Sequence, residues 1–136
     1  EVESGKRFVD GEEICYDLYA PSGGEARGAA LFLHGFAGGR AALARHARAA
    51  AARGVASLAV DLSSLTRGGS LREIWLERSV RSAQLRNVRQ AVDHALWLGR
   101  RPCALVGHSA GGAVALGAAG AAAEGRQRPG PRGHPR

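Results

Sequence analysis

Apolar and polar residues alternate between Ile14 and Tyr19. Ile14, Tyr16 and Leu18 fall on one side of an extended chain, and Cys15, Asp17 and Tyr19 on the other. A period of two marks a half-buried strand and predicts one over 13–20, preceded by a strand over 6–10 and a turn at Gly11. Two later runs, AALFLHG at 29–35 and VASLAVDL at 55–62, are apolar without alternation. That pattern suits strands covered on both faces of a parallel sheet. Between them, PSGGEARG at 21–28 is turn-rich, and the Ala/Arg-rich stretch 40–53 predicts a helix that stops at Gly54.

Residues 79–99 carry the clearest helical period. Leu85, Val88, Val92, Ala95 and Leu96 share one face, with Arg86, Gln90 and Asp93 opposite. CALVG at 103–107 predicts a last strand, and the small residues of 111–123 a last helix. Residues 63–78 fit a loop, a short helix or part of a lid over a pocket. Strand, strand, strand, helix, strand, helix, strand, helix is the order of an α/β protein with a mostly parallel sheet and flanking helices. We therefore expect a partial domain over 1–123. A disordered Gly/Pro/Arg tail over 124–136 follows, because GRQRPGPRGHPR has too few apolar residues to bury a core.

Composition narrows the function classes. The 136 residues are 45% hydrophobic, but alanine supplies much of this and aromatics only 5%. No apolar run approaches the roughly 20 residues of a membrane span. The formal charge is +7, almost all from arginine. The arginines are dispersed without interleaved aromatics, and four of them lie in the last 13 residues, so no specific nucleic-acid partner is expected. Cys15 and Cys103 lack metal-type spacing and read as buried free thiols, which favours a reducing, cytoplasmic setting. The chain begins at Glu1, contains no methionine and shows no signal pattern, so we expect a processed product or a fragment.

The candidate chemistry lies in ALVGHSAGGAVAL, 104–116, where a strand meets a helix. A serine hydroxyl is a weak nucleophile at neutral pH and needs a base beside it and donors aimed at the oxyanion it creates. A tight strand-to-helix turn lifts Ser109 out of the sheet and sets the Ala110 N–H at a helix N-terminus. The turn is crowded, so Gly107 and Gly111 must be nearly free of side chain; Ala110 and Gly112 are small as well. With 20 glycines in the chain, Gly-x-Ser-x-Gly alone is a weak signal, and its strand-turn-helix context strengthens it. LFLHGFAGG at 31–39 ends another buried strand, and a loop there could aim the Phe36 N–H toward Ser109.

Residues 13–123 resemble the N-terminal half of an α/β-hydrolase-fold serine hydrolase. The segments that carry the likeness are GEEICYDLYAPSGG, ALFLHGFAGG, VASLAVDL and ALVGHSAGGAVAL, in family order. Carboxylesterases, lipases, dienelactone-hydrolase-like and chlorophyllase-like enzymes belong to that family. The resemblance implies Ser109 as nucleophile, Phe36 and Ala110 as backbone oxyanion donors, and Gly107 and Gly111 as the residues that shape the elbow. His34 and His108 would shape their turns. A small-molecule ester or acyl substrate is implied, with no cofactor and no metal.

In that family the acid and the histidine follow the serine. After Ser109 the only acid is Glu124 and the only histidine His134. Glu124 would sit roughly 20 Å along the last helix, and Asp61 and Asp93 read as solvated or turn residues. The expectation is therefore a fragment that lacks its acid and base and is nearly inactive alone. The alternative is a non-catalytic interaction module that keeps the fold's first half. In either case CALVG would lie at a sheet edge, where an apolar unpaired strand invites self-association.

Overall fold

The computed structural model describes residues 1–9, 11–66, 80–98 and 103–127. In chain order the elements are β1 (Val2–Val9), β2 (Glu12–Tyr19), β3 (Gly28–Leu33), α1 (Ala44–Ala52), β4 (Val55–Val60), α2 (Ser63–Thr66), α3 (Val80–Leu98), β5 (Cys103–Gly107) and α4 (Ala110–Gln127). The strands form one mixed sheet in the order β1-β2-β4-β3-β5. β1 and β2 are an antiparallel hairpin closed through Gly11 at φ +75°, and β2 joins β4 antiparallel. β4, β3 and β5 run parallel, with Leu31 level with Leu58 on one side and Leu105 on the other.

The lack of alternation in β3 and β4 follows from their central place. Leu31, Leu33, Leu58 and Val60 point to one face and join Ile14, Leu62, Ala91, Val114, Ala115 and Ala118 under α3 and α4. Ala30, Phe32 and Ala59 point to the other and meet Tyr19, Ala47 and Ala51 under α1. Helices thus cover both faces, as expected of the α/β class. α1 is shorter than the sequence pattern suggests and ends as expected at Gly54, whose φ of +88° lets its N–H reach the Ala51 carbonyl. β1 begins earlier than expected. Gly5 interrupts its pattern because the Tyr16 ring lies across it, leaving no room for a side chain.

Several expectations need correction. α3 is rotated by about a quarter turn from the face its period suggests: Val88, Val92 and Ala95 pack on the core, but Leu85 is exposed and Gln90 is buried. The cause is a partner outside the helix, since Gln90 donates to Ser63 Oγ at 2.9 Å and accepts from the Ser63 N–H at 3.3 Å. Asn87 and His94 turn inward on the same face. Asp93 and Asp61, which read as solvated or turn residues, are both held by arginines: Arg7 Nε lies 2.9 Å from Asp93, and Arg40 binds Asp61, just past the end of β4. Cys15 and Cys103, expected to be buried, are half-buried. Of residues 63–78, α2 accounts for the first four and 67–79 lie outside the described residues, as do 128–136 and the Leu96 side chain. α4 runs to Gln127, four residues past the expected end of the last helix. Within it, Gly117 admits Val88 of α3, whose Cγ2 would lie 2.9 Å from an added Cβ.

Candidate functional site

The C-terminal ends of the parallel strands bring two short segments together. One is the turn between β5 and α4. Ser109 sits in it at φ +54°, a left-handed conformation that a non-glycine residue adopts only when its surroundings enforce it. The enforcement is visible on both sides. An added Cβ at Gly107 would run into the Gly111 carbonyl, with Gly112 Cα 2.6 Å away; one at Gly111 would run into the carbonyl oxygens of Leu33 and His34. The glycines therefore let β5, the first turn of α4 and the end of β3 approach within backbone contact. Gly111 and Gly112 donate back to the His108 and Ser109 carbonyls at 2.9 Å, which closes the first turn of α4 and leaves the Ser109 side chain exposed.

The other segment is the loop after β3. His108 N–H donates to the Leu33 carbonyl at 3.1 Å, so the β3–β5 ladder continues to the edge of the turn. A Cβ on Gly35 would lie 3.4 Å from Ser109 Cβ and 3.3 Å from the His108 carbonyl oxygen. Gly35, the residue before Phe36, thus borders the serine. Ala110 is the first residue of α4, where an N–H has no intrahelical acceptor and the helix dipole is positive. Among the described residues the Phe36 N–H donates to no backbone carbonyl.

The loop itself is pinned. His34 is buried, and its Nε2 accepts the Leu62 N–H at 2.9 Å, which puts the ring proton on Nδ1, where it donates to the Gly35 carbonyl at 2.7 Å. Ala37, at φ +56°, donates to the Leu65 carbonyl at 2.9 Å. Arg40 closes the loop on Asp61 and Asp17. Burial works against the Arg40 charge, but its hydrogen bonds to Asp17 and Asp61 outweigh that and raise its pKa above the ordinary value. Arg40, Asp61 and Asp17 escape sequence reasoning because the partners stand 21 and 23 residues from the arginine.

Of the residues selected from the sequence, Gly107, Ser109, Ala110 and Gly111 accordingly share the turn at one end of the sheet, and Phe36 follows Gly35, which lies against Ser109. Glu124 is exposed far along α4, and His134 lies outside the described residues. Among the described residues no group of three or more histidine, cysteine or acidic side chains could hold a metal ion, and no helix is long and apolar enough to cross a membrane. A recess of about 360 Å³ lined by Lys6, Arg7, Tyr16 and Trp97 involves none of the residues of the turn.

The model of the alpha/beta hydrolase family matches residues 30–135. The chain belongs to this family. No curated protein matches this α/β hydrolase. Among solved structures, a dienelactone hydrolase from Anabaena variabilis is 25% identical with a TM-score of 0.67, the match covering 91% of this chain and 59% of that one. A cold-adapted esterase from an Arctic intertidal metagenomic library is 20% identical with a TM-score of 0.67, covering 86% of this chain and 54% of that one. An epoxide hydrolase from Vigna radiata is 23% identical with a TM-score of 0.62, covering 84% and 32%. The α/β hydrolase chain thus spans between a third and three fifths of the length of these neighbours.

Proposed function

We propose that this α/β hydrolase chain carries the nucleophile and the oxyanion donors of a serine hydrolase acting on carboxylic esters. Ser109 Oγ attacks the acyl carbon, the carbonyl oxygen becomes an oxyanion between the Phe36 and Ala110 amides, and departure of the alcohol leaves an acyl-Ser109 that water cleaves. The observation that carries this is the left-handed Ser109 at the β5–α4 turn beside Gly35. The neighbour at 25% identity is named for hydrolysis of a lactone, a cyclic ester, which favours ester chemistry. The epoxide hydrolase on the same fold is a reminder that fold alone does not select the reaction.

Among the described residues no histidine backed by a carboxylate stands beside Ser109: both His34 nitrogens are engaged elsewhere, and Asp61 and Asp93 are held by arginines. The acid and base of the complete site are therefore proposed to come from outside these residues, and the described part alone supplies only slow chemistry. An alkyl fluorophosphonate tests this. Ser109 displaces fluoride from phosphorus, and mass mapping should find the adduct on Ser109 and none in Ser109→Ala. With no local base, the rate should rise about tenfold per pH unit from pH 7 to 9. Absence of an adduct at pH 9 would refute Ser109 as nucleophile, and a rate already level at pH 7 would reveal a base within the chain.

A second proposal rests on the β5 border. Among the described residues β5 pairs only with β3, carries no charge, and exposes Val106, while α4 beside it exposes Leu116 at 78%. Self-association through this edge gives the interaction-module alternative a physical basis. Light scattering separates the two cases: a defined dimer supports it, and a monomer at 100 μM contradicts it.

A further inference from the structure

The loop after β3 holds three glycines in the five positions between His34 and Arg40, and so has little stiffness of its own. An oxyanion donor is useful only if it is fixed before the charge appears. The fixing comes from the segment just after β4. Leu62 N–H anchors the His34 ring at the loop's start, and the Leu65 carbonyl takes the Ala37 N–H at its middle. At its end Asp61 receives Arg40 twice, the backbone N–H on Oδ1 at 2.6 Å and Nη1 on Oδ2 at 2.8 Å. Both oxygens of one carboxylate are thus spent on one residue of the loop. Arg40 Nε turns the other way, to Asp17 Oδ1 at 3.1 Å, and Asp17 also accepts Ser4 Oγ at 2.7 Å, which ties the loop to the β1–β2 hairpin. Asp61 and Asp17 have side chains only 20% and 15% exposed, so these pairs are less screened than surface ion pairs.

We propose that Arg40 and Asp61 are positioning residues that hold the Phe36 amide against Ser109, with Asp17 bracing the guanidinium from the hairpin. This rests on Ser109 being the nucleophile. Neither residue touches the reacting atoms; they act through the backbone of 36–40. A hairpin carboxylate inside β2 and a strand-end aspartate, otherwise unexplained in a hydrolase, then share one task.

Phenylboronic acid is a suitable probe because it needs no general base at equilibrium. Ser109 Oγ forms a bond to boron, its proton passes to buffer, and the tetrahedral boronate anion presents an oxygen to the two amides with no group leaving. Binding to the 136-residue chain is followed by ¹¹B NMR at pH 8, alongside hydrogen exchange of the Ala37 amide, for the parent, Ser109→Ala, Arg40→Ala, Arg40→Lys, Asp61→Asn and the milder Asp17→Asn. The parent binds and Ser109→Ala does not. Arg40→Ala and Asp61→Asn raise Kd at least tenfold and speed Ala37 exchange at least tenfold, with the amides of β3 and β4 unchanged. Arg40→Lys recovers part of the affinity, and Asp17→Asn raises Kd about threefold. Should the larger substitutions prevent folding, the Asp17→Asn shift decides. Boronate affinity and Ala37 exchange within twofold of the parent in the variants that fold overturn the clamp. If parent and Ser109→Ala bind boronate alike, it is the serine assignment that fails, and Ala37 exchange alone then upholds or overturns the ordering of the loop.

Discussion

Replacing Gly111 by alanine tests the crowding that shapes the elbow. The new methyl would fall on the Leu33 and His34 carbonyl oxygens and 2.7 Å from the Leu33 carbonyl carbon. Carbon atoms settle about 3.5–4.0 Å apart, so α4 and the end of β3 must separate by roughly 0.8 Å. Overpacking costs about 1–3 kcal/mol. Both partners here are backbone and cannot rotate aside, which places the cost near 3 kcal/mol. Alanine returns about 1 kcal/mol through helix propensity, leaving a net loss of about 2 kcal/mol. With a urea slope of about 2 kcal/mol per molar, the unfolding midpoint followed by circular dichroism falls by about 1 M. Gly112→Ala is the control. Its methyl would stand 3.5 Å from the Gly107 carbonyl oxygen, an ordinary contact, so it gains up to about 1 kcal/mol. Equal midpoints for the two variants, or no loss in Gly111→Ala, would refute the packing argument.

Three further outcomes follow from the same packing. His94 is fully buried, with neither nitrogen hydrogen-bonded among the described residues, and burial lowers its pKa to about 4, the Asp93 carboxylate opposing and Arg7 adding to the effect. Since the unfolded chain titrates near 6.5, stability is complete above that pH and falls by about 3 kcal/mol as pH drops to 4; urea melts of parent and His94→Leu should show this slope only in the parent. Ser109→Gly relieves the left-handed strain at that position and melts higher than Ser109→Ala by about 1 kcal/mol; equal stability would mean the strain is absent. Leu116→Gln, on an exposed apolar position, leaves the unfolding free energy from urea melts within about 0.5 kcal/mol of the parent and lowers the mass seen by sedimentation if the β5 border associates.

The strands and the tight turn between β5 and α4 are legible because their causes are local. β3 and β4 lack a polar–apolar alternation since both faces are covered, and Gly107 and Gly111 stand two residues either side of Ser109 because backbone meets backbone there. What escaped the sequence depends on partners far along the chain. The inward turn of Gln90 is set by Ser63, 27 residues away, and no period within α3 encodes it. Arg40 reads as one more arginine in a basic chain until Asp61 and Asp17 arrive from other strands. Gly5, which looks like a strand breaker, is a strand residue because Tyr16 on the neighbouring strand takes its side-chain space.

The central claim is geometric: a serine on a forced turn, faced by the amides of residues 36 and 110. The most direct measurement is a crystal structure of the phenylboronate adduct. The account predicts a boronate oxygen within about 2.7–3.1 Å of both the Phe36 and Ala110 nitrogens. A boronate oxygen turned to solvent, or a Phe36 nitrogen more than about 4 Å from it, beyond hydrogen-bond reach, would contradict it.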